Sequence, residues 1–421
     1  MIYRLCENHQ HHHNLSMKLN IKPFALIALL APPVMADAGV FDAEVSEASS
    51  SVINSSVANH SVVKSSKAIA SDVQIVNGAL ALNDKTISEE PSSTKKILFQ
   101  LDNDLFAGSD RDYTNGVRFG VVQEIPENSI RSQRMARRLL ENSKKLLNKL
   151  QLARLNTDGE LRFARGIGIS QLIYTPENPF ALSSPDGERP YASWLGLEYS
   201  LHVKEQHYVN SLTLSLGTTG DSTFAQPTQN WVHRNISNSP IFQGWDSQVP
   251  SELTLNLHFD HKQSFNKLSK QLGGGLEIDG YYEGGAALGN FRSDAYLGSL
   301  ARIGYRLPSS FTTPRVQLGS YGHQFFRGTD DQNNKLSTYA FLGVRGTAVL
   351  HDITLDGPVF RDFDTGVKSK SLVGELIFGV GFKYKTVDVI FSKTVRSEEF
   401  TGQTENLRFG SVMIRCPFTL F

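Results

Sequence analysis

Alternation of apolar and polar residues over short runs is the feature that most constrains how this chain folds. In "YVNSLTLSLG", which begins at Tyr208, leucine occupies every second position and serine or threonine fills most places between. The stretches "ELTLNLHFDH", from Glu252, and "SLVGELIFGVGFKYK", from Ser371, follow the same rule. A period of two predicts β-strands with one apolar and one polar face. Both a soluble sandwich and a membrane barrel, whose polar face lines the lumen, produce this pattern.

Three further features favour a barrel in the outer membrane of a Gram-negative bacterium. From Met17 the chain reads "MKLNIKPFALIALLAPPVMADA", with two lysines before an apolar stretch too short to span a bilayer, which is typical of a secretion signal. The alternating runs have roughly the length of a tilted transmembrane strand. The chain ends in "IRCPFTLF", and the terminal Phe421 resembles the sorting signal of outer-membrane barrels.

The chain divides into three parts by composition. Residues 1–38 hold an upstream segment and the signal, with Met17 as the expected start. The histidine run at 9–14 precedes that start, so we assign it no role. Residues 39–95 form a Ser-, Val- and Asn-rich leader that we expect to be flexible. Residues 96–421 form the barrel. The 42 basic and 42 acidic residues balance, which gives no argument for a nucleic-acid partner.

The number of strands must be even if both ends of the barrel lie in the periplasm. The alternation gives thirteen candidate strands. The stretch 315–327 follows Pro308 and Pro314 and alternates poorly, so we interpret it as a periplasmic connection. The sequence therefore predicts an all-β fold, a twelve-stranded antiparallel transmembrane β-barrel. A short helix is expected in an extracellular loop.

One amphipathic helix is predicted over residues 131–155, "RSQRMARRLLENSKKLLNKLQLARL". Met135, Leu139, Leu146 and Leu150 fall on one face, and arginines and lysines crowd the rest. Because this helix follows the second strand, we place it on the periplasmic side. It either lies against anionic headgroups or forms an ordinary amphipathic cap.

The segment "FQLDNDLFAGSDRDYTNGVRFG" concentrates charges and amides where the first strand ends and the second begins. Asn103 shares its strand face with apolar residues and so emerges on the lipid side, where an uncovered amide is costly. The loop at 218–251 is long enough to cover it. In that loop "TQNWVHRNI" predicts a short helix with Gln229 and His233 one turn apart. The arrangement predicts a polar cleft open to the outer leaflet and suited to a lipid substrate.

Five motifs together resemble the lipid A 3′-O-deacylase family of Gram-negative outer membranes. They are "LDNDLFAGSDRDYTNG", "RPYASWLGLEYS", "LGTTGDSTFAQPTQNWVHRNI", "GWDSQVPSE" and "TLDGPVF", in order from about residue 96 onward. The resemblance implies a twelve-stranded barrel that uses Ca²⁺ to remove the 3′-linked acyloxyacyl chain of lipid A, or lipopolysaccharide, in the outer leaflet. We expect a monomer.

The resemblance also implies roles for individual residues. Asn103 and Asp104 match an Asn-Asp pair required for activity, and Thr114 matches the threonine of a Tyr-Thr motif that opens the second strand. His233 matches a loop histidine proposed as general base, with Gln229 one helical turn before it.

Elementary chemistry fits these roles. An imidazole takes a proton from water near neutral pH, and no Gly-x-Ser-x-Gly motif occurs, so we expect activated water as nucleophile. Asp104 could hold Ca²⁺ and Asn103 could donate to the oxyanion. Arg111 and Arg189 are candidates for the sugar phosphates, or else are solvated loop arginines. A lysine important in one branch of the family has no counterpart between the third and fourth strands, so Arg189 would replace it.

Two other functions stay open at this point. The first is an outer-membrane phospholipase, a barrel type that carries a serine two residues after its histidine. Asn235 occupies that place here, which counts against it. The second is a non-enzymatic pore or scaffold that has kept the fold.

Overall fold

The computed structural model describes residues 95–107, 112–125, 130–149, 161–205, 207–265, 269–308, 316, 336–385 and 387–418. The predicted signal, residues 39–94 of the predicted leader and Arg111 lie outside these residues, whereas Lys95 begins the first strand. The strands are β1 Lys95–Asn103, β2 Asp112–Glu124, β3 Arg162–Thr175, β4 Ala192–Lys204, β5 Tyr208–Thr219, β6 Leu253–Ser264, β7 Lys270–Gly273, β8 Leu276–Gly289, β9 Arg292–Tyr305, β10 Ser337–Asp352, β11 Leu372–Tyr384, β12 Val387–Arg396 and β13 Leu407–Phe418. The α-helices are α1 Ile130–Lys149, α2 Ala225–Val232 and α3 Ile353–Asp356. Within the described ranges, no helix is long and apolar enough to cross a membrane.

The strands form one closed antiparallel sheet. Successive strands pair along the chain, β1 pairs with β13, and β6 pairs with β8 to complete the ring. The four-residue strand β7 adds to β8 alone and does not enter the wall. Twelve strands therefore make the barrel, which confirms the predicted count.

The two faces of the wall differ in polarity. On the outward face large apolar side chains are exposed, among them Ile167, Ile169, Leu197, Leu214, Leu216, Leu255 and Leu257. Their neighbours in the alternation, such as Arg118, Glu198 and His258, are buried inside. A soluble sandwich would bury the apolar face, whereas a membrane barrel turns it toward lipid. The structure thus decides between the two folds that alternation alone allows.

Charged residues fill the lumen as bonded networks. Arg118 on β2 binds Glu198 on β4, with Nη2 and Oε1 2.8 Å apart, and its Nη1 donates to Gln100 Oε1 on β1 at 3.1 Å. Ser170 on β3 donates to the same Glu198 oxygen at 2.7 Å. A second chain of ion pairs crosses the other half of the barrel through Lys262, Glu283, Arg345, Glu375, Arg396, Glu399 and Arg189. These bonds satisfy charges that burial would otherwise make costly.

The barrel has two distinct ends. The end that we call the loop rim carries the segments after β1, β3, β5, β8, β10 and β12. The opposite end, the helix rim, carries the segments after β2, β4, β6, β9 and β11, and with them α1. β1 starts and β13 finishes at the helix rim.

Helix α1 packs on the outside of the wall. Its buried residues are Ala136, Leu139, Leu140 and Leu147, and they cluster with Phe163, Leu201, Val203 and Tyr208 of β3 to β5. The predicted apolar face is partly wrong, because Met135 and Leu146 are each 45% exposed. The helix docks through a face that is rotated toward Ala136 and Leu140, and Leu150 lies outside the described residues.

The structure describes one residue of the stretch 315–327, which the sequence predicted to be a periplasmic connection. The position of this residue, Val316, does not agree with that prediction. Val316 is buried, and its N–H donates to Asp102 Oδ2 at 2.9 Å. Asp102 belongs to the inward-facing phase of β1, near the loop rim. The chain at Val316 therefore lies inside the lumen, which corrects the prediction.

Candidate functional site

At the end of β1, two consecutive polar side chains point to opposite faces of the wall. Asp102 faces the lumen, where Tyr113 Oη donates to its Oδ2 at 3.2 Å. Asn103, one residue on, has the outward phase that the alternation predicts and pairs in register with Asn115 on β2. Its Nδ2 donates to Thr114 O at 2.9 Å, so the amide is held at the outer surface of the loop rim.

A β-bulge in β2 places Thr114. The register with β3 shifts between Tyr113 and Asn115, and such an extra residue re-aims the side chains around it. Thr114 Oγ1 lies 2.7 Å from Thr175 Oγ1 at the end of β3, and both residues are buried. Thr175 was missed in the sequence. It is a polar residue in the outward phase of its strand, which is the same signal that identified Asn103.

Residues 220–251, which we call the flap, lie over the outward face of β3 and β4. Gln171, also in the outward phase, donates from Nε2 to Thr223 O at 2.7 Å. Ser193 Oγ on β4 lies 2.7 Å from Thr223 Oγ1. Behind these bonds an apolar cluster joins the flap to the wall through Ile173, Tyr191, Ala225, Phe242 and Trp245. The sequence predicted that this loop covers Asn103 on β1; the contacts of the described residues place it over β3 and β4, and its covering of Asn103 stays a prediction.

The helix in the flap begins earlier than the sequence indicated. Helix α2 starts at Ala225, so Pro227 falls in its first turn, where a missing N–H costs no helical bond. The α-helix ends at Val232, and a π-helical turn follows over His233–Ser237. A π-turn widens the helix and often marks a functional position.

His233 is the first residue of that turn and is 2% exposed. Its Nδ1 lies 2.5 Å from Pro240 O, and its ring meets Phe242 edge-on at 5.8 Å. Because a carbonyl only accepts, Nδ1 carries the hydrogen of the neutral ring and Nε2 is the basic nitrogen. Gln229 Oε1 accepts from Trp245 Nε1 at 3.0 Å, which ties the preceding turn to the cluster below.

The wall residues of the site lie on neighbouring strands, and the flap packs on the same face of the wall. Asn103 pairs with Asn115, and Asn115 pairs with Ile173. Ile173 shares its cluster with Phe242, whose ring contacts His233. Two strand spacings, about 10 Å, therefore separate Asn103 from the wall residue beneath the flap. The flap therefore packs on the same face of the wall that carries Asn103.

The oxygen groups beside Asn103 are of the kinds that bind calcium. Asp104 opens a 3₁₀ turn and is fully buried. Asn115 Oδ1 is buried and accepts no hydrogen bond from the described residues. Carboxylate and amide oxygens are ligands that Ca²⁺ prefers. In the part of the chain that the structure describes, no three or more His, Cys, Asp or Glu side chains are grouped so that they could hold a metal ion. Further ligands would have to be amide or main-chain oxygens.

Arg189 has a different setting from the one the sequence suggested. Its Nη1 donates to Glu399 Oε2 at 2.8 Å and its Nη2 to Thr354 Oγ1 at 3.1 Å. The guanidinium also stacks 4.4 Å from the centre of the Tyr174 ring. Burial raises the pKa of Glu399, but the guanidinium groups of Arg396 and Arg189 outweigh it and hold that pKa below its ordinary value. Arg189 thus ties three loop-rim segments together, and its role toward phosphate stays a prediction.

The apolar outer belt, the closed wall and a polar site on the outward face define an outer-membrane β-barrel with a lipid-facing site. The chain belongs to the family described as outer membrane protein LpxR, whose family model matches residues 68–418. This match confirms both the outer-membrane location and the resemblance to the lipid A 3′-O-deacylase family.

The fold is shared with a solved structure. The chain resembles LpxR from Salmonella typhimurium at a TM-score of 0.58 and 18% identity, over 76% of this chain and 99% of that one. The β domain of the Bordetella autotransporter BrkA matches at a TM-score of 0.36 and 9% identity, over 77% of this chain and 98% of that one. None of the curated proteins is similar enough to count as a match.

Proposed function

We propose that the chain hydrolyses the 3′-linked acyloxyacyl ester of lipid A in the outer leaflet, with Ca²⁺ and a water activated by His233. Family membership supports the coarser role of a lipid A deacylase. The observation that carries this proposal is the outward placement of the site: polar groups of β1, β2 and β3 lie on the outward face, whose exposed belt is mostly apolar. A lipid can reach such a site laterally from the membrane, whereas a water-soluble substrate would enter through the lumen.

Each residue has a defined task in this proposal. His233 Nε2 takes a proton from water, and the bond from Nδ1 to Pro240 O fixes the tautomer and the ring orientation. The bond from Asn103 Nδ2 to Thr114 O fixes the rotation of the amide, which then offers an N–H donor to the developing oxyanion. Asp104 and Asn115 would hold Ca²⁺, which supplies positive charge for the same oxygen. The hydrogen bond between Thr114 and Thr175 maintains the bulge that positions the Asn103 amide.

Mass spectrometry of lipid A tests the proposal. The protein is expressed in a Gram-negative host that keeps its 3′ chain, and loss of that chain is the expected result. His233→Ala should abolish the loss, and His207→Ala, which removes an exposed histidine at the helix rim, should not. Intact lipid A in cells with a folded wild-type barrel at normal level would refute the function.

Calcium dependence needs a separate measurement. Purified protein in detergent should lose deacylation when a calcium chelator is added and regain it with added Ca²⁺. Asp104→Asn should raise the Ca²⁺ concentration needed for half activity, since a neutral amide binds Ca²⁺ less well than a carboxylate. Full activity in chelator would leave the hydrolase function intact and refute the calcium part.

The same assay separates the alternatives. Fatty acids released from glycerophospholipids would support the phospholipase. An unchanged lipid profile together with ion conductance would support a pore.

A further inference from the structure

Helix α1 carries positively charged residues on a face that does not dock on the barrel. Its sequence, IRSQRMARRLLENSKKLLNK, holds seven basic residues and a single acidic one. Arg134, Arg138 and Lys145 are exposed, and none of the three has an ion-pair partner among the described residues. At 100° per residue they fall within an arc of about 40°. We call these three residues the cationic stripe.

A second surface of α1 is exposed although it is apolar. Met135 and Leu146 are eleven residues apart and so lie within about 20° of each other on the helix. Each is 45% exposed, and we call the pair the apolar edge. It lies between the stripe and the face that packs on β3 to β5. Around the helix the order is therefore barrel-facing, apolar and cationic.

The position of α1 on the barrel explains this order. The helix covers Phe163, Leu201 and Val203, which are outward-facing residues near the helix rim, while Ile167, Ile169 and Leu197 further along the same strands are exposed and lipid-facing. The helix thus docks beside the apolar belt of the barrel, and the apolar edge adds exposed apolar surface there. The cationic stripe, which lies next to the apolar edge on the helix, is then at the depth of the lipid headgroups.

The first strand, β1, begins at the helix rim and the last strand, β13, ends there. An exported chain inserts into the outer membrane from the periplasm, so we place the helix rim on the periplasmic side. Lipids of the periplasmic leaflet are glycerophospholipids, some of which carry a net negative charge. We infer that α1 is a binding site for anionic glycerophospholipid headgroups of the inner leaflet, held by Arg134, Arg138 and Lys145. The helix anchors the helix rim at the membrane surface, on the side opposite the proposed deacylation site.

Lipid binding to the full chain in detergent tests this site by native mass spectrometry. The probes are dioleoylphosphatidylglycerol, dioleoylphosphatidylcholine and lipid A. A cation near an anionic surface contributes about fivefold in affinity. The variant Arg134→Gln/Arg138→Gln/Lys145→Gln should therefore lose more than tenfold in phosphatidylglycerol affinity and little in phosphatidylcholine affinity.

A charge-matched control isolates the helix. Lys270→Gln/Arg306→Gln/Lys385→Gln removes three cations from other segments of the helix rim and should keep the wild-type affinity. The heat-induced gel shift of folded barrels verifies that each variant is folded. An equal loss in the control would assign the effect to net charge and overturn the site. If the stripe bound lipid A in preference to phosphatidylglycerol, the assignment to the inner leaflet would be overturned. An unchanged phosphatidylglycerol affinity in the stripe variant would overturn it as well.

Discussion

Glu198→Ala tests how the lumen contributes to stability. Arg118 and Glu198 are both fully buried, and three donor–acceptor pairs join them: Nη2 to Oε1 at 2.8 Å, Nη2 to Oε2 at 3.1 Å and Nε to Oε1 at 3.1 Å. Removal of the carboxylate leaves the guanidinium buried with Gln100 and Ser170 as neutral partners. Breaking a buried pair in this way costs about 3–5 kcal/mol, which is a large part of the stability of most domains.

The free energy of unfolding in lipid vesicles measures this cost. Guanidinium titrations of wild type and Glu198→Ala, followed by tryptophan fluorescence and by gel shift, should give midpoints that differ by the predicted amount at similar slopes. Arg118→Met/Glu198→Leu removes both charges and should recover most of the loss, because no unpaired charge remains.

A cost below about 1 kcal/mol would place the pair among solvated ion pairs and refute the view of the lumen as a bonded core. So would a double variant that is as unstable as the single one. Deacylation per folded molecule should be unchanged in Glu198→Ala, because the proposed site lies on the other face of the wall.

Three further predictions concern the loop rim. The carboxylate of Glu399, whose pKa is depressed, contributes stability above its unfolded pKa near 4.5 that is lost as pH falls through the lower folded pKa. Glu399→Gln should therefore be less stable than wild type at pH 7, and the difference in unfolding midpoint should shrink in acid; a constant difference would contradict this. Thr175→Val removes the hydroxyl bonded to Thr114 and should lower deacylation by roughly fivefold and the free energy of unfolding by about 1 kcal/mol, the contribution of one hydrogen bond; the lipid A assay would show full activity if the bond is irrelevant. Gly220→Ala places a side chain at φ +72°, with its Cβ 2.6 Å from Ser251 N, and should make the flap more sensitive to limited proteolysis than Gly346→Ala, whose added Cβ meets no atom within 4 Å.

The sequence determined the wall of the barrel and one half of the site. Alternation fixes which side chains share a face, because successive residues of a strand point in opposite directions. This local rule placed the twelve strands and the outward phase of Asn103 without any knowledge of their neighbours. It could have found Thr175 too, since that residue is a polar exception in the outward phase of β3.

Tertiary structure alone decided the rest. Alternation does not state whether the apolar face meets lipid or another sheet. The closed sheet, whose apolar face is exposed on the outside, settles that. The bulge at Thr114, the docking face of α1 and the position of Val316 in the lumen depend on contacts between segments far apart in the chain. The ion pair between Arg189 and Glu399 joins residues 210 positions apart, and no local pattern encodes such a distance. Pairing across that separation is a property of the closed barrel, which brings loops from both halves of the chain to one rim.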